Sequence, residues 1–204
     1  MFIQVIKGPV SDADEARGAF DRWVEQEAPH AAGWLGSTSG VTDDGTFIAL
    51  ARFESEEGAR RNSERPEQHQ WWMETSKLFS GDVEFHDCRE VIEFGGGGSD
   101  EAGFIQVMQG RVRDVERMRQ LNADTGNESL WRDYRPDVLG GITALHGDGG
   151  FTTAVYFTSE QAAREGERKE PPAELKPPID EEMGLYEGDL TFYDLRDPWL
   201  HSPR

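Results

Sequence analysis

Apolar positions near the start of the chain change from the spacing of a strand to the spacing of a helix. The segment FIQVIKG, residues 2–8, is rich in β-branched residues and predicts a strand. Ala16, Phe20 and Trp23 then recur at helical spacing with charged residues between them, which predicts an amphipathic helix with its apolar side against a sheet. Ser11 stands just before this helix and is the predicted N-cap.

Two further strands and a second helical region complete this pattern. WLGSTSGV and TFIALARF are separated by the turn residues TDDG, so they predict a hairpin in which Gly45 adopts a positive φ. Ser55 is placed to cap a helical region that continues past Pro66 through QWWMETSKLF. The segment DVEFHDC then reads as a fourth strand. The predicted order is therefore strand, helix, strand, strand, helix, strand.

The same pattern occurs twice in the chain. FIQVMQG at 104–110 repeats the opening strand, and the later matches are WLG with VLG, GTFIALARFESEEGAR with GGFTTAVYFTSEQAAR, and SGDVEFHDCR with EGDLTFYDLR. Ordered blocks at nearly constant spacing indicate two homologous halves. The glycine-rich segment 95–103 predicts a flexible linker. We therefore expect one domain over 1–94 and a second over 104–204, ending in a C-terminal strap anchored by Trp199.

The second half keeps the strands and changes their connections. Asp114 is its predicted helix cap, whereas four prolines between 171 and 178 prevent one continuous helix where the first half carries two tryptophans. A βαββαβ unit with its helices on one sheet face is the ferredoxin-like motif. The predicted fold class is thus α+β, with two tandem ferredoxin-like repeats. Because each sheet would leave one face uncovered, we expect the repeats to pack sheet to sheet as an intramolecular dimeric α/β barrel.

Composition disfavours several classes of partner. The chain of 204 residues has 40 acidic and 21 basic side chains and a formal net charge of −19, which predicts neither nucleic-acid nor membrane binding. Its N-terminus lacks the features of a signal peptide, and no segment is apolar enough over the length of a membrane span. The single cysteine, Cys88, is interpreted as a small buried residue, and a cytoplasmic location is expected.

The chain resembles the dimeric α/β-barrel superfamily, especially its antibiotic-biosynthesis-monooxygenase-like branch, and looks like a tandem duplicated, actinobacterial-type protein of unestablished activity. The resemblance is carried by FIQVIKG, FIALARFESEEGARR, RPEQHQWW and GDVEFHDCREV. It implies the barrel fold but no single reaction, since the superfamily contains cofactor-independent oxygenases, haem-degrading enzymes, isomerases and haem peroxidases. Haem-degrading members use Asn, Trp and His together. Asn62, His69, Trp71 and Trp72 do not reproduce a transferable spacing, so no catalytic residue is carried over.

Alternation along the predicted strands sorts side chains into two faces, because residues two apart share a face. In the first half, the face expected to meet the helices carries Ile3, Val5, Phe47, Ala49, Ala51, Phe53, Val83 and Phe85. The face expected to line the barrel carries Phe2, Gln4, Ile6, Ile48, Leu50, Arg52, Glu84, His86 and Cys88. The polar positions Gln4, Arg52 and His86 of this second face correspond to Gln106, Tyr156 and Tyr193 in the second half.

Polar side chains on such a face indicate either a ligand pocket or groups that satisfy one another. For a pocket, His86 is the predicted proton-transfer group, because imidazole titrates near neutrality, and Arg52 would stabilise developing negative charge. The predicted substrate-binding residues are Gln4, Trp72, Gln106, Tyr156 and Tyr193. Of Trp71 and Trp72, one is expected to pack against the sheet while the other borders a groove. The histidines lack metal-ligand spacing, so no metal site is predicted.

Three functions remain open from the sequence. The first is a small-molecule-binding protein that acts as an oxygenase on an aromatic or apolar metabolite without a cofactor, since an electron-rich substrate can itself activate oxygen. The second is a non-catalytic ligand-binding or interaction module, which a fully packed barrel interior would favour. The third is a haem-binding or haem-degrading protein, suggested by the family together with His69 and His86. The expected assembly is a monomeric pseudo-dimer or a homodimer.

Overall fold

The computed structural model describes residues 1–123 and 128–203. The elements of the first half are β1 Phe2–Pro9, α1 Ala13–Gln26, β2 Trp34–Val41, β3 Thr46–Phe53, α2 Glu56–Ser63, α3 Pro66–Thr75, β4 Glu84–Cys88 and β5 Glu90–Phe94. Those of the second half are β6 Phe104–Val112, α4 Val115–Ala123, α5 Glu128–Tyr134, β7 Val138–Leu145, β8 Gly150–Phe157, α6 Glu160–Glu167, α7 Lys176–Leu185, β9 Tyr186–Leu195 and β10 Trp199–His201. The predicted βαββαβ order is thus present in both halves.

The strands form two five-stranded sheets. The first has the order β10-β2-β3-β1-β4 and the second β5-β7-β8-β6-β9, and the registered pairs are antiparallel. Within the first unit α1, α2 and α3 pack on one face of their sheet, and within the second α4, α6 and α7 do so. The predicted fold class, α+β with two tandem ferredoxin-like repeats, is confirmed, while the packing of the repeats against each other stays a prediction.

The chain divides into two compact units, and each unit contains one strand that belongs to the other repeat in the sequence. One unit contains residues 1–91 together with the segment from Asp197 onward, and the other contains 92–196. This division differs from the predicted domains because β5 hydrogen-bonds to β7, and β10 hydrogen-bonds to β2. The segment 95–103 therefore lies inside the second unit, after its first strand.

The predicted C-terminal strap is an edge strand of the first unit. Trp199 is 4% exposed and packs between Phe20 of α1 and Phe47 of β3, at ring-centroid distances of 6.2 and 5.9 Å. His201 lies 3.2 Å from an Asp21 carboxylate oxygen, which ties the strand to α1 a second time. Trp199 is thus the anchor that the sequence predicted.

Local side-chain chemistry explains where the helices begin. Helix α1 starts after Asp12, whose carboxylate accepts a hydrogen bond from the Glu15 amide at 2.9 Å. The predicted cap Ser11 is therefore wrong by one residue, because the aspartate reaches the free amides of the first turn. Ser55 caps α2 as predicted, accepting from the Gly58 amide at 3.1 Å.

Prolines place helix α7 in the second unit. Pro177 and Pro178 occupy its first turn, where the missing amide hydrogens cost nothing because those groups have no partner inside the helix. The helix therefore begins at Lys176, and residues 173–175 form a turn before it. This agrees with the predicted interruption of a continuous helix.

The register of the first sheet shows which side chains share a face. Phe2 pairs with Phe53, Gln4 with Ala51 and Ile6 with Ala49, whereas Ile3 pairs with Arg52 and Val5 with Leu50. Phe2 and Ile6 belong to the apolar clusters under the helices, together with Phe53 and Ala49. The face predicted for β1 is therefore wrong: Phe2, Gln4 and Ile6 point to the helices, and Ile3 and Val5 point away. Both faces of this central strand are apolar, so alternation carried no signal.

Candidate functional site

The candidate site lies on the sheet face of the first unit opposite its helices, which we call the far face. The register places Ile3, Val5, Ile48, Leu50, Arg52, Glu84, His86 and Cys88 on it. The two predicted catalytic residues, Arg52 and His86, thus share a face, as predicted. Arg52 and His86 flank the two edges of β1, with Ile3 opposite Arg52 and Val5 opposite His86.

Arg52 carries an unsatisfied polar atom. Its Nε is buried and has no hydrogen-bond partner among the residues that the structure describes. A buried donor without a partner costs about 1–3 kcal/mol, and such groups in folded proteins call for a specific explanation such as an absent ligand or a functional role. This N–H group can donate a hydrogen bond to an acceptor, preferably an anionic oxygen.

A glycine at a bulge makes room for the Arg52 guanidinium. The pairing of β2 with β3 shifts register between Trp34 and Gly36, and Gly36 lies opposite Arg52 with φ of 130°. A Cβ atom at Gly36 would stand 2.5 Å from Nη2 of Arg52. Glycine is required there both for its backbone conformation and for this close approach.

His86 lies at the other end of the far face. Its side chain is 34% exposed, and its Nε2 lies 4.0 Å from an Oε2 carboxylate oxygen of Glu84. Two strand spacings and a two-residue offset separate the Cα atoms of His86 and Arg52 by about 12 Å. A separation of that size suits opposite ends of an extended ligand.

The centre of the far face is closely packed. Ile3, Val5 and Leu50 are each 0% exposed, and Cys88 beside them is also 0% exposed. Burial, and to a smaller extent the neighbouring Asp87 carboxylate, raises the pKa of the Cys88 thiol to about 12. Cys88 therefore stays protonated and unreactive at neutral pH, as its interpretation as a small buried residue requires.

Gln4 and Gln106 do not lie with Arg52 or Tyr156. Each donates its amide hydrogen to an aspartate on the neighbouring strand, Gln4 to Asp87 at 2.9 Å and Gln106 to Asp194 at 3.1 Å. Both pairs lie on the helix-bearing face of their sheets. These glutamines fasten the edge strands β4 and β9, and their predicted grouping with the barrel-facing residues is corrected accordingly.

Tyr156 and Tyr193 share the far face of the second sheet. Tyr156 pairs with Ile105 and Tyr193 with Val107, so all four side chains are on one side. Tyr156 is 1% exposed and repeats the geometry of Arg52, opposite Gly140 at a bulge after Val138. Their proposed substrate-binding role stays a prediction.

The second unit also holds a half-buried carboxyl group that the sequence did not single out. Glu182 accepts a hydrogen bond of 2.8 Å from the Tyr186 hydroxyl. Burial raises the pKa of Glu182, while the Tyr186 hydrogen bond opposes that rise. Tyr186 stacks on Phe151 with ring centroids 5.3 Å apart, so the pair is fixed within the apolar cluster of this unit.

The two adjacent tryptophans divide their roles as predicted. Trp72 packs on Phe79 and on Phe85 of β4, at centroid distances of 5.9 and 5.4 Å. Trp71 instead lines a groove of about 720 Å³ between α1 and α3. The residue that borders open space is therefore Trp71, and the predicted substrate contact of Trp72 has no support from its position.

The histidines of the haem interpretation do not converge. His69 is exposed on α3, on the helix side of the first sheet, whereas His86 lies on the far face. Within residues 1–123 and 128–203, no three His, Cys, Asp or Glu side chains are grouped as metal ligands. In the same ranges, none of the helices combines the length and the apolar character that crossing a bilayer requires.

Comparisons with known structures bear on the fold. A candidate monooxygenase of Lactobacillus acidophilus superposes with a TM-score of 0.69 at 14% identity, over 98% of this chain and 95% of that one. A candidate monooxygenase of Fusobacterium nucleatum gives a TM-score of 0.73 at 10% identity, over 98% and 94%. An anthrone oxidase-like protein gives 0.56 at 11% identity, over 98% and 93%.

These likenesses define a class of fold. The chain has the tandem ferredoxin-like architecture of these monooxygenase-like proteins, and the likeness covers nearly the full length of both superposed chains. The fold that the family resemblance implies is confirmed by these likenesses. No protein-family model matches the sequence, and no curated protein is similar enough to match it.

Proposed function

We propose that the chain binds an aromatic or apolar metabolite and oxidises it with molecular oxygen, without a cofactor. The observation that carries this proposal is the buried, unpartnered Nε of Arg52 beside the apolar side chains Ile3 and Leu50. A cationic donor among apolar side chains suits a ligand that is mainly apolar and carries an anionic oxygen at one end. The monooxygenase names of two full-length structural neighbours support the same chemistry.

His86 is assigned the proton-acceptor role. Its half-exposed imidazole can take a proton from a phenol or an activated methylene, since a neutral imidazole nitrogen acts as a general base. Arg52 then stabilises the resulting oxyanion. The electron-rich anion reduces oxygen, a carbon–oxygen bond forms, and loss of water leaves a carbonyl group. One oxygen atom enters the product, and the other leaves as water with the two hydrogens of the methylene group.

Oxygen consumption tests this function. A panel of phenols, quinols and anthrones is offered to the wild-type chain and to His86→Ala, and anthrones are included because one structural neighbour is anthrone oxidase-like. We expect uptake with at least one substrate and a fall of about 10²-fold or more in the variant, the usual effect of losing a general base. His30→Ala, in a short turn after α1, is the matched control. No uptake with any substrate, or equal rates in both variants, contradicts the proposal.

The second candidate is a non-catalytic ligand-binding module. The observation that favours it is the packed centre of the far face, where Ile3, Val5 and Leu50 leave no surface exposed. A module of this kind binds a phenol through Arg52 and returns it unchanged. Saturable binding of a hydroxylated aromatic without oxygen uptake distinguishes it from the oxygenase.

A further inference from the structure

The groove between α1 and α3 has a composition that the proposed oxygenase chemistry does not use. Its volume is about 720 Å³, which is within the range of small-molecule sites. Helix α1 contributes Glu15, Ala19, Arg22 and Gln26, and α3 contributes Pro66, Glu67, Gln70, Trp71, Glu74 and Thr75. The α1 residues recur every three or four positions and the α3 residues as adjacent pairs every four, so one stripe of each helix faces the groove.

Trp71 forms a fixed aromatic wall. Its indole N–H donates to the Ala19 carbonyl at 3.1 Å, so its only hydrogen-bonding group is already satisfied. Phe20 meets its ring edge-on at 5.3 Å, and Trp23 lies 6.2 Å away. The part of the ring left to the groove therefore offers a π surface held in one orientation, which attracts cations.

The rim of the groove is negatively charged. Glu27 is neutralised by Arg65 at 2.7 Å, but within the described part of the chain Glu15, Glu67 and Glu74 have no cationic partner. Arg22 is the cation that lines the groove with them. Three carboxylates around one aromatic wall leave an excess of negative charge that complements a cationic ligand.

The second unit shows what fills the equivalent position. Arg117 is the third residue after the cap Asp114, just as Glu15 is the third after Asp12. Glu181 lies four residues before Leu185, whose carbonyl accepts from the Arg113 amide, just as Glu74 lies four before Leu78, which accepts from Ser11. The pair equivalent to Glu15 and Glu74 is therefore Arg117 and Glu181.

That equivalent pair is a bidentate ion pair joining α4 to α7. In the second unit a guanidinium closes the space between the two helices. In the first unit the same two positions are both carboxylates, and the space between the helices is open. The repeat thus supplies an internal example of the group that the first unit lacks.

We propose that the groove between α1 and α3 binds a small organic cation, a guanidinium or ammonium group on an apolar stem. The cation lies between Glu15 and Glu74, where Arg117 lies in the other repeat, and the stem packs on Trp71. This site is separate from Arg52 and His86, so it does not depend on the oxygenase proposal.

Titration calorimetry with phenethylguanidinium tests the assignment, with phenethylurea as the neutral isostere. We expect a Kd of about 1 mM or tighter for the cation, a weaker affinity as salt is raised, and no measurable binding of the urea. Glu15→Gln/Glu74→Gln should lose about tenfold or more in affinity, because it removes both carboxylates. Glu174→Gln/Glu187→Gln, two exposed acids of the second unit, changes the net charge equally and should bind as the wild type does.

A charge reversal gives an independent test. Glu15→Arg recreates the arrangement of the second unit, so its guanidinium should pair with Glu74 and occupy the site. We expect this variant to lose binding of phenethylguanidinium and to keep or slightly raise its Tm, by about 2 °C at most for an exposed ion pair. Undiminished binding in Glu15→Arg or in the double Gln variant, equal binding of the urea, or binding only of long cationic peptides overturns the proposal.

Discussion

The two repeats share a sheet and differ in what lies on it. In the first unit the helices pack through aromatic rings, with Trp23 against Trp34 at 5.4 Å and Phe20 stacked on Phe47 at 4.7 Å. In the second unit the corresponding cluster is mainly aliphatic, with Val112, Met118, Leu145 and Leu185 around Phe151. A strand framework tolerates this exchange because total volume matters more than the identity of each side chain.

The edge strands show the opposite behaviour. A glutamine–aspartate pair joins β1 to β4, and an equivalent pair joins β6 to β9. An arginine–glutamate pair follows in each unit, Arg89 with Glu56 and Arg196 with Glu160. The side-chain pairs that attach the edge strand to its own sheet are thus present in both repeats. Among the described residues, Arg52, His86 and the α1–α3 groove are features of the first unit alone. We therefore expect ligands to bind to the first unit.

The largest expected effect comes from breaking the aromatic cluster. Trp23→Ala removes a ring that is 8% exposed, contacts Trp34 and donates to Gln68 at 2.6 Å. We expect the free energy of unfolding to fall by about 3–5 kcal/mol. Chemical denaturation measures it, and Trp131→Ala, which removes a 37% exposed tryptophan from the second unit, should cost about 0.5 kcal/mol or less. Similar losses in both variants would show that the ring of Trp23 has no special role in packing.

The aspartate contacts that attach the edge strand to its sheet should contribute more to stability in the second repeat than in the first. Asp194 accepts from Gln106 and also pairs with Arg164 and Arg196, whereas Asp87 accepts from Gln4. We expect Asp194→Ala to lower the free energy of unfolding by about 2 kcal/mol and Asp87→Ala by about 1 kcal/mol, since hydrogen bonds to charged partners are the stronger ones. Urea titrations at pH 7 compare the two. A greater loss in Asp87→Ala would contradict the comparison.

Because of Cys88, the free energy of unfolding should fall as the pH rises above about 9. Its folded pKa is about 12 against an ordinary value of about 9, so above pH 9 the unfolded chain releases a proton that the folded chain keeps. The unfolded state then binds fewer protons, and stability falls as pH rises, by about 1.4 kcal/mol at pH 10. Unfolding of wild type and Cys88→Ala at pH 8 and pH 10 isolates this contribution. The difference between the two proteins should change by that amount, and a constant difference would refute it.

Particular residues show how far sequence reasoning reached. The strands, the helix stripe of Phe20 and Trp23 and the positive φ of Gly45, which is 83°, followed from local patterns. The face of β1 did not, because Phe2, Ile3, Val5 and Ile6 are all buried and no polar side marks the outward one. Strand β5 was also missed, since its partner β7 is distant in sequence and pairing across that distance leaves no local signal.

The candidate site was predictable in part for the same reasons. Arg52 and His86 were placed on one face because each stands next to a phenylalanine that packs under the helices, Phe53 and Phe85. Gln4 and Gln106 looked like ligand contacts, yet each is satisfied by an aspartate on the next strand, which only the register reveals. The opposition of Glu15 and Glu74 required the pairing of two helices that are separated by two strands in the chain.

The central claim is that Arg52 holds its unpaired donor for the anionic oxygen of an aromatic ligand. The most direct measurement is the dissociation constant of a hydroxylated anthrone, titrated anaerobically into wild type, Arg52→Met and the exposed control Arg61→Met. The account predicts binding that weakens about tenfold or more in Arg52→Met, no change in Arg61→Met, and no loss of Tm in Arg52→Met, because that substitution removes a buried donor without a partner. Equal affinity in all three proteins would contradict it.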